Sequence, residues 1–171
     1  MAVRELSIYP EPVLRRQSEP FAAFDDGLAR LIDDLAESMY FHKGIGLAAP
    51  QIGEARRVAV VDVEQREGTP HLIELVNPEV IATSDERVEG EEGCLSLPDE
   101  AELVVRPHQV TIRALDRRGQ PFEMTAGELL GRALQHEIDH LDGVLFIDHI
   151  SRLKRSLIER RMKKRARRKA S

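Results

Sequence analysis

The chain has 171 residues, room for one domain whose core would hide about two-thirds of the unfolded surface. Apolar residues make up 42% and charged residues 32%, and no apolar run approaches the ~20 residues of a membrane span, which excludes disordered and transmembrane classes. The formal charge of −5 is deceptive: residues 151–171 hold eleven of the 25 Lys and Arg against one acid, Glu159, so this tail carries +10 and the rest −15.

From the N-terminus, residues 1–16 lack the apolar core of a secretion signal, and a single cysteine excludes an internal disulfide, so a reducing cytoplasm is the expected compartment. Leu28, Leu31, Ile32, Leu35 and Met39 fall on one helical face, which predicts an amphipathic helix over 25–42. The stretch Gly44-Ile45-Gly46-Leu47-Ala48-Ala49-Pro50-Gln51-Ile52-Gly53 mimics a dinucleotide-binding glycine motif. A helix precedes it, however, and Pro50 and Gly53 prevent a long helix from following, so that reading is set aside. Its glycines fit a tight turn or the close approach of a peptide backbone.

Val- and Ile-rich segments at 57–63, 71–77 and 103–115 read as strands, broken by Gly68-Thr69-Pro70, Asn77-Pro78 and Gly93, with a hairpin turn at Asp116-Arg117-Arg118-Gly119. Thr125 and Glu128 have capping-box spacing ahead of a second helix over 126–142, and Gly143 suits its left-handed stop. The expected fold is α+β: short, mostly antiparallel strands around this buried helix, followed by a C-terminal helix. Residues 1–150 form the expected body and 151–171 a basic tail.

The second helix carries His136-Glu137-Ile138-Asp139-His140. Residues four apart share a face, so both imidazoles can reach one cation, while the adjacent glutamate can face a water without ligating. A catalytic site wants a third protein ligand. Phe146 stands where a related zinc-protease pattern has its last histidine, and it cannot ligate. Glu159 lies in the basic tail, where Arg and Lys compete for it and solvent would keep it mobile. Cys94, in Glu91-Glu92-Gly93-Cys94-Leu95-Ser96, sits beside two acids that suppress a free thiolate nucleophile; a divalent cation reverses that electrostatics and deprotonates the thiol. Cys94 is therefore the third expected ligand. His42, His71, His108 and His149 lack ligand spacing and read as surface or structural residues.

Together, Gly44-Ile45-Gly46-Leu47-Ala48-Ala49-Pro50-Gln51, Glu92-Gly93-Cys94-Leu95-Ser96 and Gln135-His136-Glu137-Ile138-Asp139-His140-Leu141 resemble the three motifs of the peptide deformylase family, in order, and Tyr9 to Arg15 resembles its N-terminal segment. The resemblance implies one metal held by Cys94, His136 and His140, natively iron(II), with zinc, nickel or cobalt also suited to the donor set. It implies removal of the formyl group from the N-terminal methionine of nascent bacterial-type chains, with Glu137 carrying the proton. It gives the Gln51 side-chain amide and the Leu95 N–H as donors to the developing oxyanion. Ile45, Gly46, Glu92, Gly93, Leu129, Arg132 and Ala133 would line the methionine pocket or pair with peptide backbone. After Pro98 the chain reads Asp99-Glu100-Ala101-Glu102, acidic where some relatives carry an arginine that can hold the peptide downstream of its methionine.

Ile150, Leu153, Leu157, Ile158 and Met162 give the tail an apolar stripe able to dock on the body, whereas six of the seven residues Lys163 to Lys169 are basic and cannot be packed. Family resemblance points Arg160 to Lys169 at ribosomal RNA; a solvated end or a tail lying on the acidic body are the alternatives. Two rival functions remain on motif grounds alone, a metallopeptidase and an RNA-binding module with a structural metal.

Overall fold

A computed structural model describes residues 2–65 and 68–170. The described residues form helices α1 (Asp26–Phe41), α2 (Glu128–Leu141) and α3 (Arg152–Ala170). The strands are β1 (Gly46–Ala48), β2 (Val58–Val61), β3 (Ile73–Thr83), β4 (Arg87–Cys94), β5 (Leu97–Pro107), β6 (Val110–Leu115) and β7 (Pro121–Ala126). All pair antiparallel, in a sheet ordered β1-β2-β3-β6-β7 and a separate β4-β5 hairpin. This is the α+β architecture read from the sequence.

The sheet lies between two helices. Asp25 caps α1 by accepting from the Leu28 N–H at 3.0 Å, and the helix buries Leu28, Leu31, Ile32, Leu35 and Met39 against Leu47, Val58 and Val60. On the other face Ala59, Val61 and Leu75 meet Ala133, Leu134, Ile138 and Leu141 of α2. Strand β2 is thus covered on both sides, which is why it reads Val-Ala-Val-Val rather than alternating with polar residues. Each large aliphatic side chain so buried contributes about 1.5–3 kcal/mol relative to exposure. No helix among the described residues is long and apolar enough to cross a membrane.

Three local expectations are corrected. The segment 103–115 is two strands in different sheets: β5 ends at Pro107, which has no N–H for a ladder, and the chain turns at His108 into β6. The strand expected at 71–77 runs past Pro78 to Thr83 because Asn77 adopts a left-handed conformation (φ 50°) at a bulge, its side-chain amide bonded to the Phe21 N–H and carbonyl at 2.8 and 2.9 Å. The capping box at Thr125 does not form. Thr125 belongs to β7, where its hydroxyl meets that of Thr111 at 2.8 Å, and α2 begins after Gly127 with no side-chain cap. Gly143 does take the left-handed stop (φ 75°).

Helix α3 packs Ile158 and Met162 among Tyr9, Leu14, Leu97, Val104, Leu145 and Phe146, while Leu153 and Leu157 stay exposed, so its apolar stripe is narrower than expected. Glu159 is held rather than mobile: it accepts from the Tyr9 hydroxyl at 2.9 Å and from Arg155 at 3.2 Å. Beyond Met162 the helix is exposed through Ala170.

Candidate metal centre

The buried α2 helix turns one face toward the end of β4. Its i, i+4 spacing sets His136 Nε2 3.2 Å from His140 Nε2, and β4 delivers Cys94 Sγ to 3.3 Å from His140 Nε2. The three donor atoms lie within 4.8 Å of one another, and both imidazoles are buried. Two imidazole nitrogens and a sulfur converging at this range repel as lone pairs unless a proton or a cation lies between them. His140 Nδ1 and Glu137 Oε1, both buried, have no hydrogen-bond partner among the described residues. Among the described residues this is the one group of ligating side chains assembled to hold an ion, and its donors fit a tetrahedral divalent metal.

Glu137 points at the same space without joining the ligand group. Burial pushes its carboxyl up to about 7, against the pull of the His136 ring. The carboxylate has room because of a glycine: a Cβ built on Gly46 would lie 2.5 Å from Glu137 Oε2. Gly46 opens the edge strand β1 and not a turn, and its lack of a side chain serves the carboxylate. Gly46→Ala should therefore leave the fold intact and displace Glu137, lowering hydrolytic turnover about a hundredfold. Steady-state kinetics beside a circular-dichroism melt checks this; native turnover in the variant would contradict it.

A cleft of about 490 Å³ opens in front of this group. Ile45, Gly46, Gln51, Gly93, Leu95, Leu129 and Ala133 all border it, with Leu129 half exposed at the rim. Gln51 sits in a short 3-10 turn after β1. Its carbonyl oxygen accepts from the Ala48 N–H at 3.0 Å, which aims the amide nitrogen at Ser96 Oγ (3.2 Å) and Cys94 Sγ (3.5 Å). Leu95 lies in the β4–β5 turn beside Cys94.

Glu92 and Arg132 also border the cleft, and their side chains have partners within the protein. The Glu92 carboxylate is taken up by protein: Arg106 donates through Nε at 2.5 Å and Nη2 at 2.9 Å, Arg132 through Nη1 at 2.7 Å, and His136 Nδ1 lies 2.9 Å away. Arg132 also donates to the carbonyls of Val104 and Val88, both at 2.9 Å. Both side chains are thus held in place by protein partners at the cleft. Burial opposes ionisation of Glu92, but Arg106 and His136 outweigh it and hold the carboxyl far below the ordinary carboxylate range. The carboxylate thereby fixes which nitrogen of His136 faces the metal position.

Sequence reasoning missed Arg106, which extends this network to Asp139 at 2.9 Å, and Asp139 in turn meets His149 Nε2 at 2.9 Å. The signal was an arginine at an inward-facing strand position, where a charge must have a partner. Phe146 owes its identity to packing: fully buried, it stacks on the His136 ring with centroids 6.5 Å apart. Of the remaining histidines, His71 and His108 pair with carboxylates and His42 is half-buried.

Residues 3–156 match the family model for polypeptide deformylase. A peptide deformylase of Acidobacterium capsulatum is 54% identical over 164 residues, covering 96% of each chain. One from Brucella suis is 47% identical over 173 residues, all of this chain and 98% of its own. Among solved structures, a peptide deformylase from Legionella pneumophila superposes with a TM-score of 0.90 at 44% identity, over 99% of this chain and 98% of that one. One from Ehrlichia chaffeensis in complex with actinonin gives 0.90 at 36% identity, over 96% and 98%. With the motifs in order, their side chains converging on one centre and full-length likeness in both sequence and fold, the chain belongs to the polypeptide deformylase family.

Proposed function

We propose that this protein hydrolyses the N-formyl group from the N-terminal methionine of newly synthesised polypeptides and releases formate. The observation that carries this is the buried, unpartnered Glu137 carboxylate oxygen facing a cleft beside three converging ligand atoms. Cys94, His136 and His140 would hold one divalent metal, iron(II) by family resemblance, with zinc, nickel or cobalt suited to the same donors. When bound, the metal supplies Lewis-acid polarisation of the formyl oxygen and acidifies water.

The chain's own residues do the rest. Glu137, poised near neutrality, takes a proton from the attacking water and delivers it to the departing amine. The Gln51 amide and the Leu95 N–H donate to the oxygen as negative charge develops on it. Ile45, Gly93, Leu129 and Ala133 offer the methionine side chain an apolar wall, and the edge of β1 at Gly46 can pair with extended peptide backbone. Glu92, backed by Arg106 and Arg132, holds His136 in register.

The assay is formate release from a formyl-Met tripeptide beside cleavage of an internal bond in an unformylated peptide of the same sequence. Formate from the first and an intact second are expected; cleavage of the second without formate would make the protein a metallopeptidase. A metal with four protein ligands and no hydrolysis would make it a binding module.

In this reading residues 1–150 carry the chemistry in the cytoplasm, and Arg160 to Lys169 contact ribosomal RNA near emerging chains. Replacing Lys163, Lys164 and Arg167 by Ala should weaken ribosome binding about tenfold near 0.1 M salt and flatten its salt dependence. Hydrolysis of a neutral free peptide should be unchanged. Sedimentation with ribosomes checks this, and undiminished affinity would refute it.

A further inference from the structure

Helix α3 reaches three residues of the cleft wall from outside the cleft. Arg161 grips Glu100, its Nε 3.0 and 3.2 Å from the two carboxylate oxygens and its Nη2 at 2.7 Å. One turn on, Arg165 donates to the Asp99 carboxylate at 2.6 Å and to the Pro98 carbonyl at 2.7 Å. Pro98, Asp99 and Glu100 are part of the cleft wall, together with Glu91 from β4. Besides Glu137 and Glu92, the latter already paired with Arg106 and Arg132, the lining holds three carboxylates, Glu91, Asp99 and Glu100, and α3 meets two of these with guanidinium groups. Asp99 is moreover held in the left-handed region (φ 65°), where a residue with a side chain stays only if its surroundings enforce it, and Arg165 bridges its carboxylate and the preceding carbonyl. The Arg165–Asp99 pair is exposed and contributes little to fold stability, whereas Arg161 grips a largely buried Glu100 through two nitrogens; both pairs place positive charge directly behind the cleft wall.

We infer that Arg161 and Arg165 are specificity-determining residues of the deformylation reaction, which neutralise the acidic cleft wall so that polypeptides with acidic residues soon after the methionine are accepted. A concave wall focuses the field of its charges on whatever enters. With both arginines present Glu91, Asp99 and Glu100 together contribute a net −1; without the arginines they contribute −3, which repels an acidic peptide and draws in a basic one. The inference rests on the reading of this chain as a deformylase, and goes beyond it in assigning the tolerance for downstream charge to a helix outside the catalytic motifs.

The test compares kcat/KM of the full-length, metal-loaded protein for two formylated peptides, formyl-Met-Asp-Asp-Ala and formyl-Met-Lys-Lys-Ala. In Arg161→Ala/Arg165→Ala the acidic-to-basic ratio should fall about tenfold, through KM and not kcat. The change should vanish near 1 M salt, where the screening length is about 3 Å. Arg161→Lys/Arg165→Lys keeps the charge and should restore most of the ratio. Asp99→Asn/Glu100→Gln should move it the opposite way, and does so even if the arginine variant folds poorly. The charge-matched control Arg30→Ala/Arg118→Ala, at exposed positions that do not line the cleft, should leave the ratio as it is. An unchanged ratio in both test variants, or an equal loss for both peptides, would overturn the inference while leaving the deformylase reading in place. Failure of the unaltered protein to release formate from either peptide would overturn that reading, and the inference with it.

Discussion

In the Glu137→Gln protein, formate release from a formyl-Met peptide should fall by about three orders of magnitude while metal content stays at that of the unaltered chain. The two readouts separate because Glu137 is outside the group of ligating atoms formed by Cys94, His136 and His140, yet faces the same space. Glutamine has the shape of glutamate and fits the room left by Gly46, so the protein should fold and bind metal as before. It cannot accept and return a proton. Loss of metal together with activity would instead make Glu137 a structural support of the site.

Arg106→Met should destabilise the fold by about 3–5 kcal/mol, the cost of leaving a buried charge without its principal partner. Arg106 is buried, gives Glu92 two hydrogen bonds and gives Asp139 one, and its removal leaves Glu92 with Arg132 and His136 alone. The His136 ring then loses a firm hold, and metal affinity should fall about 10- to 100-fold. The pH dependence has a definite sign. Glu92 is depressed below its ordinary value of 4.5, so its contribution to stability is complete above that pH and is lost as pH falls toward the depressed folded value. The stability gap between the two proteins should therefore be widest at neutral pH and narrow below pH 4.5. Urea titrations from neutral to acidic pH measure this; a constant gap would contradict the assignment. In Glu92→Leu/Arg106→Met stability should partly recover, whereas metal affinity should not, because the histidine partner is then absent.

What could be read from the sequence depended on how local its cause was. His136, His140 and Glu137 were legible as a candidate site because three chemically distinctive residues occupy one helical turn. Helix α1 was legible because its stripe and its Asp25 cap lie within one segment. Cys94 required an argument about charge, since its two acidic neighbours make sense only with a cation nearby or with partners elsewhere. Those partners were the illegible part: Arg106 and Arg132 reach Glu92 from β5 and α2, contacts that depend on how separate elements pack. Strand β4 was overlooked because Arg-Val-Glu-Gly-Glu-Glu-Gly has few strand-forming residues; it is a strand because β5 pairs with it. Gly46 showed that a glycine was needed but not why, since the reason is a carboxylate some ninety residues later in the chain. The opposing charges of body and tail were plain in the sequence, whereas their meeting at Asp99 and Glu100 required the helix to be docked by Ile158 and Met162.

The most direct test of the central claim is formate release by chelator-stripped protein, measured before and after anaerobic return of iron(II). No release before, and recovery on binding one ion per chain, are expected. Undiminished formate release by the metal-free protein would contradict the account.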